Sequence, residues 1–181
     1  MKRHGPWKIL KSVQKYKNSW MEVKEETVIQ PNGKKGIFGL TTIKDGVSVL
    51  PFDGEGFVYL VQEFKYALGR VTLETVSGGI DAGENPLRAA KRELKEETGI
   101  EADEWISLGR VDPFTSAVKS SADLFLARKL RLGAASQDGT EMIQVKKIPM
   151  AEAVGLVMDS TITHAQGCVL ILKAAKFLGK L

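Results

Sequence analysis

Residues 78–100 hold a high density of carboxylates beside several glycines, with Glu84, Glu93, Glu96 and Glu97 among them. If this stretch is helical, Glu93 and Glu97 lie one turn apart and project about 40° from each other. Like charges so placed repel each other, and a bound divalent cation removes the repulsion. Oxygen ligands of this kind suit Mg²⁺ or Mn²⁺, ions that also bind the phosphate oxygens of a substrate. The residues therefore indicate metal-assisted chemistry on phosphate groups.

The same carboxylates also fit a plain solvated helix face, on which Arg92 would pair with Glu96 at the i,i+4 spacing. The adjacent loop favours the functional alternative. Its glycines, Gly78, Gly79 and Gly83, allow the backbone to approach a ligand closely and to turn a carbonyl toward a metal. Zinc is not expected, because no His or Cys lies near.

A helix over residues 86–98 is predicted to hold these carboxylates. Asn85 can cap its N-terminus, and Pro86 suits its first turn. Gly99 is a natural C-terminal stop. An apolar stripe at helical spacing gives the helix a buried face, and it consists of Leu87, Ala90 and Leu94.

Strand-like segments outnumber helical ones along the rest of the chain. Two hairpins are predicted, one over residues 19–44 and one formed by residues 47–51 and 57–64. Further strands are predicted at 72–76, 106–111, 122–127 and 142–148, and further helices at 151–158 and 164–177. This order of elements predicts an α+β fold.

Composition narrows the class of protein. The chain has 181 residues, of which 43% are hydrophobic, enough for one globular domain with a real core. Its single cysteine, Cys168, excludes an intrachain disulfide. Because the sequence has neither a membrane-length apolar run nor a signal-peptide core, we expect a soluble, cytoplasmic protein without a membrane partner. The net charge of +4 is diffuse, whereas nucleic-acid binding requires a dense basic stripe, so no nucleic acid partner is expected.

The spacing of the glycine and glutamate residues resembles the Nudix box. Gly78 is followed after five residues by Glu84, and after seven more by Arg92-Glu93-Leu94. Glu96-Glu97 follows after one residue, and Gly99-Ile100 follows after one more. The chain is most similar to the Nudix branch that contains ADP-ribose and GDP-mannose pyrophosphatases. This resemblance implies an α/β/α sandwich with a mixed β-sheet, preceded by a β-rich N-terminal segment. We expect a dimerisation segment over residues 1–42 and a Nudix domain over residues 43–181.

The resemblance also assigns a metal site. It makes Glu93 and Glu97 ligands of Mg²⁺, for which Mn²⁺ can substitute. Glu96 is implied to be an occasional ligand or a neighbour of the ligands. Ser77 takes the position whose backbone carbonyl binds metal in this branch, with Val76 where the branch has a proline.

Residues outside the box are assigned by the same resemblance. Glu141 lies in an acidic loop where the branch often has the glutamate that activates water. Lys65 replaces an arginine at the end of an apolar strand and would bind phosphate, and Glu74 is a candidate substrate contact. Trp20 and Phe38 fall where two aromatic rings enclose the nucleobase across a dimer, although buried hairpin aromatics are an equal alternative.

The expected function is metal-dependent hydrolysis of the pyrophosphate bond of nucleoside diphosphate sugars, such as ADP-ribose or GDP-mannose. The expected products are a nucleoside monophosphate and a sugar phosphate, and the expected enzyme is a homodimer with exchanged N-terminal segments. One alternative is hydrolysis of other nucleotides, such as dinucleotides or damaged nucleoside triphosphates. Another is a non-catalytic nucleotide-sugar sensor, a class that usually loses box carboxylates, all of which are present here.

Overall fold

The computed structural model describes residues 1–134 and 142–181, which form two compact units. The smaller unit contains Met1–Asp45 together with Asp112–Ser121, and the larger unit contains Gly46–Val111 and Ala122–Leu181. Nothing in the sequence predicts that residues 112–121 belong with the N-terminal part. The division into domains at 1–42 and 43–181 stays a prediction.

The smaller unit is a five-stranded sheet with the order β1-β2-β3-β4-β10. Its strands are β1 (Lys2–His4), β2 (Trp7–Lys17), β3 (Met21–Ile29), β4 (Lys35–Ile43) and β10 (Val118–Lys119). The first predicted hairpin is confirmed, because β3 and β4 pair along their whole length around a turn with Gly33 at a φ of 83°. The sequence analysis missed β1 and β2, because most of β2 is exposed and its lysines interrupt the apolar alternation.

The larger unit contains two sheets. The four-stranded sheet has the order β8-β5-β11-β9, and the three-stranded sheet has the order β12-β6-β7. The strands are β5 (Gly46–Pro51), β6 (Phe57–Lys65), β7 (Arg70–Glu74), β8 (Val76–Gly79), β9 (Ile100–Val111), β11 (Ala122–Leu132) and β12 (Gln144–Pro149). Because β5 pairs with β11 in parallel and with β8 antiparallel, the four-stranded sheet is mixed.

Helices cover both faces of the four-stranded sheet. They are α1 (Pro86–Thr98), α2 (Met150–Met158) and α3 (Ala165–Phe177). Leu94 of α1 packs in one buried cluster with Val49 and Phe125, whereas Leu170 of α3 packs in another cluster with Leu124. Adjacent residues of β11 thus enter different clusters, as the alternation of a strand requires. The predicted α+β sandwich is confirmed. None of the described helices has the length and apolar character needed to cross a membrane.

The second predicted hairpin is wrong. The turn between β5 and β6 is tight, but the two strands belong to different sheets, and only Phe52 and Val58 form a bridge between them. The two edges of β5 pair with β11 and with β8, so neither edge is left for β6. In the structure β9 starts at Ile100 and β12 starts at Gln144, whereas the sequence analysis predicted that they start at residues 106 and 142.

Candidate functional site

Helix α1 carries most of the candidate site, and its predicted bounds and caps are confirmed. The Asn85 side chain accepts a hydrogen bond from the Arg88 backbone N–H at 2.9 Å. Gly99 ends the helix with a φ of 71°, a left-handed conformation that glycine adopts without strain. Leu94 is fully buried, and its burial fixes the orientation of the helix about its own axis. That orientation directs Glu93 toward the preceding loop.

The Glu93 carboxylate lies against the backbone of Gly78. A Cβ atom at position 78 would overlap the Glu93 carboxyl group. Glycine is therefore required here for close approach of a side chain rather than for a special φ angle. The contact places Glu93 directly beside the backbone that follows Ser77, which lies on β8 and pairs with Ser48 of β5.

Arg92 joins the glycine loop to the helix. Its guanidinium donates to both carboxylate oxygens of Glu84, at 3.2 and 3.0 Å, and to the carbonyl oxygen of Gly79 at 2.9 Å. It also donates to Glu93 at 2.6 Å and to Glu96 at 3.2 Å. The hydrogen bond with Glu84, reinforced by Glu93 and Glu96, raises the pKa of Arg92 above its ordinary value, so the group stays charged. One cation thus offsets three carboxylates and fixes their directions.

Lys65, at the end of β6, supplies a second cation. Its ammonium group pairs with Glu63, the residue two positions earlier on the same face of the strand. Burial acts to lower the pKa of Lys65, but the hydrogen bond to Glu63 and the charges of Glu63, Glu74 and Glu97 raise it overall. Lys65 therefore stays protonated among carboxylates. Oε2 of Glu97 is shielded from solvent.

Glu74 is the last residue of β7, and it is only 6% exposed. The Thr72 hydroxyl donates to Glu74 Oε1 at 2.8 Å, and Nδ1 of His164 lies 3.3 Å from Glu74 Oε2. The sequence analysis missed Glu63, Thr72 and His164. The i,i+2 spacing of Glu63 and Lys65 on a strand could have revealed the first, but no local pattern links His164 to β7.

Two other predicted site residues, Trp20 and Phe38, belong to the smaller unit. Glu141 is outside the described residues. Trp20 precedes β3 in the smaller unit, is 71% exposed, and has the Lys44 ammonium 5.4 Å from its ring centroid. Phe38 lies on β4. It packs edge-on against Trp7, beside a cavity of about 480 Å³. Within one chain the two rings do not face each other, because Phe38 pairs with Glu26 and not with a residue near Trp20.

The donor set fits a hard divalent cation. No group of three or more His, Cys, Asp or Glu side chains among the described residues is arranged around a metal position. Mg²⁺ does not require such a cage, because it is usually bound by one or two carboxylates together with waters and substrate phosphates. Glu93 and Glu97, with the Ser77 carbonyl, offer oxygen donors only. This chemistry suits Mg²⁺ or Mn²⁺ and not zinc.

Comparison with known families and proteins gives consistent matches. Residues 42–166 match the NUDIX domain, and residues 7–40 match the nucleoside diphosphate sugar hydrolase N-terminal domain. The chain is 28% identical to an ADP-ribose pyrophosphatase of Bacillus subtilis (strain 168), over 78% of this chain and 77% of that protein. It is 37% identical to an ADP-sugar pyrophosphatase of Mus musculus, over 46% of this chain and 44% of that protein. A crystal structure of an ADP compounds hydrolase has the same fold, with a TM-score of 0.84, 21% identity and full coverage of both chains.

Proposed function

Because the chain belongs to the NUDIX family, we propose that it hydrolyses the pyrophosphate bond of a nucleoside diphosphate sugar. The products are a nucleoside monophosphate and a sugar phosphate. The observation that carries this proposal is the combination of oxygen donors with the cation Lys65 in the larger unit, where Glu93 is held against Gly78 and Lys65 lies among Glu63, Glu74 and Glu97. The matched N-terminal domain and the names of the relatives support the substrate class.

The residues present would hold Mg²⁺, or Mn²⁺ in its place, through Glu93, Glu97 and the Ser77 carbonyl, with Glu96 as an occasional ligand. When bound, the metal neutralises charge on the diphosphate and orients the attacking water. Arg92 is occupied by Glu84, Glu93 and Glu96, so its role is to orient these carboxylates rather than to bind substrate.

The remaining roles belong to residues at the edge of this cluster. Lys65 donates a charge-assisted hydrogen bond to a phosphate oxygen. Glu74 is a further candidate for contact with the substrate, and its charge helps to keep Lys65 protonated. Glu141 accepts the proton of the attacking water as the general base. Trp20 and Phe38 stack on the nucleobase from two chains of a homodimer, an arrangement supported by the exposure of Trp20.

A substrate panel tests the proposal. Purified protein with Mg²⁺ would be assayed on nucleoside diphosphate sugars, dinucleotides and nucleoside triphosphates, with phosphate released from the products by a phosphomonoesterase. We expect the highest kcat/KM for a nucleoside diphosphate sugar. A higher value for a dinucleotide or a triphosphate would replace the proposed substrate class. Binding of nucleotide sugars without any hydrolysis would replace the enzyme by a sensor.

A further inference from the structure

His164 immediately precedes α3, yet its side chain does not cap that helix. Instead, Nδ1 of His164 is shielded from solvent and lies 3.3 Å from Oε2 of Glu74. Burial lowers the pKa of His164, an effect that the nearby charge of Glu74 partly offsets, so the imidazole is neutral near pH 7. Nδ1 has no regular hydrogen bond with the described residues, so its 3.3 Å approach to Oε2 is a polar contact between two buried groups.

The carboxylate of Glu74 is thus held from two sides. Thr72, on the same strand, donates to Oε1, and His164 faces Oε2. Because Glu74 is almost fully buried, a charged carboxylate at this place depends on such polar neighbours for its orientation. Thr72 belongs to β7, as Glu74 does, whereas His164 comes from the segment just before α3.

The first turn of α3 approaches the strand closely enough to make this contact. A Cβ atom at Gly167 would lie 3.0 Å from the Thr75 hydroxyl and 3.2 Å from His164 Nδ1. On its other side, Thr75 exchanges a buried hydrogen bond of 2.7 Å with Ser48. The junction between β7 and β8, which leads directly to Ser77 and Gly78, is thus fixed between α3 and β5.

The Glu74 carboxylate in turn acts on the phosphate-binding cation. Its charge is one of those that keep the Lys65 ammonium protonated. If the Glu74 carboxylate could rotate away from this direction, only Glu63 and Glu97 would act on the Lys65 ammonium. The consequence would be weaker contact between Lys65 and a phosphate group.

We propose that His164 is a positioning residue for the hydrolysis: it orients the Glu74 carboxylate and, through it, the Lys65 ammonium that binds the substrate diphosphate. This inference rests on the proposed function. It assigns to the beginning of α3 a role in substrate binding, although α3 lies outside the Nudix box. Since Lys65 contacts the phosphate before and during the reaction, the effect of His164 falls mainly on KM.

Three variants of the full chain test this role with the nucleotide sugar preferred by the wild type. His164→Ala should raise KM about 3- to 10-fold with kcat nearly unchanged, the effect of one lost polar contact. His164→Asn should restore most of the KM, because its amide nitrogen occupies the place of Nδ1. Thr163→Ala is the matched control: it removes a hydrogen bond between the same loop and Arg70 of β7 without touching Glu74, and its KM should stay at the wild-type value.

A double-mutant cycle with Glu74→Gln shows whether His164 acts through the carboxylate. Once the charge of Glu74 is gone, His164→Ala should cause little further rise in KM. Two independent effects that multiply would overturn the proposal, as would equal rises in His164→Ala and Thr163→Ala. An inactive wild-type protein would instead overturn the proposed function and this role with it, whereas an active wild type with an unchanged KM in His164→Ala would overturn this role alone.

NMR gives a readout that does not depend on catalysis. The chain has only two histidines, so the signals of His164 can be assigned by their loss in His164→Asn, and His4 serves as an internal reference. In Glu74→Gln the pKa of His164 should fall further, because the charge that raises it has been removed. An unchanged titration of His164 in that variant would refute the contact itself.

Discussion

At the scale of single residues, the site consists of charges that are oriented by other charges. Arg92 binds Glu84, Glu93 and Glu96 at once, which a lysine could not do, because only the guanidinium has a planar fork of donors. Lys65 is held in a similar way by Glu63. Glu93, Glu96 and Lys65 therefore have their directions fixed before a ligand arrives, which lowers the free energy needed to order them on binding.

Replacement of Glu97 tests the metal assignment. Glu97→Gln should lower kcat by at least about 10²-fold without a change of fold, because a carboxylate ligand is lost at nearly constant volume. The comparison is Glu101→Gln, which removes a surface ion pair with Lys95 and should leave kcat near the wild-type value. Circular dichroism would check the fold of both variants. Near-normal turnover in a correctly folded Glu97→Gln protein would refute the assignment.

Replacement of Glu141 tests the proposed general base. Glu141→Gln should lower kcat by about 10²- to 10⁴-fold with little change in substrate affinity, the usual contribution of such a group. Since a base must be deprotonated to act, the wild-type rate should fall as the pH drops below the pKa of the base, and the variant should lack this acidic limb. A variant that keeps both the limb and the rate would move the base to α1.

The sequence was sufficient to select Glu93, Glu97 and Lys65 as candidates, because motif spacing and residue type are visible in a linear chain. It was not sufficient to find Glu63 and His164, which contact Lys65 and Glu74. Glu63 acts through strand geometry, and His164 acts through a contact between α3 and β7 that only the folded chain creates. Polar partners at long sequence separation have no periodic signature.

At the scale of elements, the approach of α1 to β8 determines the position of Glu93. Gly78→Ala should displace the Glu93 carboxylate, since the added methyl group would occupy its place. We expect kcat to fall by about 10²-fold, the effect of an ångström-scale misplacement in a catalytic site. Gly54→Ala is the control, because a Cβ at Gly54 has nothing within 4 Å. Equal kcat values for the two variants would show that this contact is not needed for activity.

The elements that the sequence predicted correctly are those with local signals. Helix α1 has a cap, a first-turn proline, an apolar stripe and a terminal glycine, and its bounds are as predicted. Strand pairing is decided by distant parts of the chain, and for that reason the hairpin of β5 with β6 was wrong. Charged residues such as Glu101 hid the first half of β9, although Arg131 on the neighbouring β11 pairs with that residue.

At the scale of the whole molecule, we predict a homodimer whose two sites each use residues of the partner chain. The strand-rich smaller unit and the exposed Trp20 are the reasons for this prediction. Light scattering at micromolar concentration should give twice the mass of 19.8 kDa calculated for one chain. A monomeric mass together with full activity would contradict the prediction.

Mixed dimers test whether Trp20 serves the partner's site. Trp20→Ala and Glu97→Gln proteins should each be impaired, the first by loss of about 1–3 kcal/mol of base stacking. After unfolding and refolding together, mixed dimers contain one site with an intact Glu97 and an intact Trp20 from the other chain. Activity should therefore rise above that of either parent. No rise in a preparation shown to contain mixed dimers would place Trp20 and Glu97 of one chain in the same site.

The smaller unit is built from two separate lengths of chain, and this has a consequence for synthesis on the ribosome. Strand β4 pairs with β10 through Thr41 and Val118, and the Thr41 backbone N–H donates to Ala117 O at 2.9 Å. A nascent chain that has emerged only as far as the Nudix helix therefore has β1–β4 complete but Thr41 and Thr42 at the edge of β4 still unpaired. Unpaired strand edges are sites of association between incomplete chains. Fragments that end before residue 112 should consequently aggregate more readily than fragments that extend past residue 121.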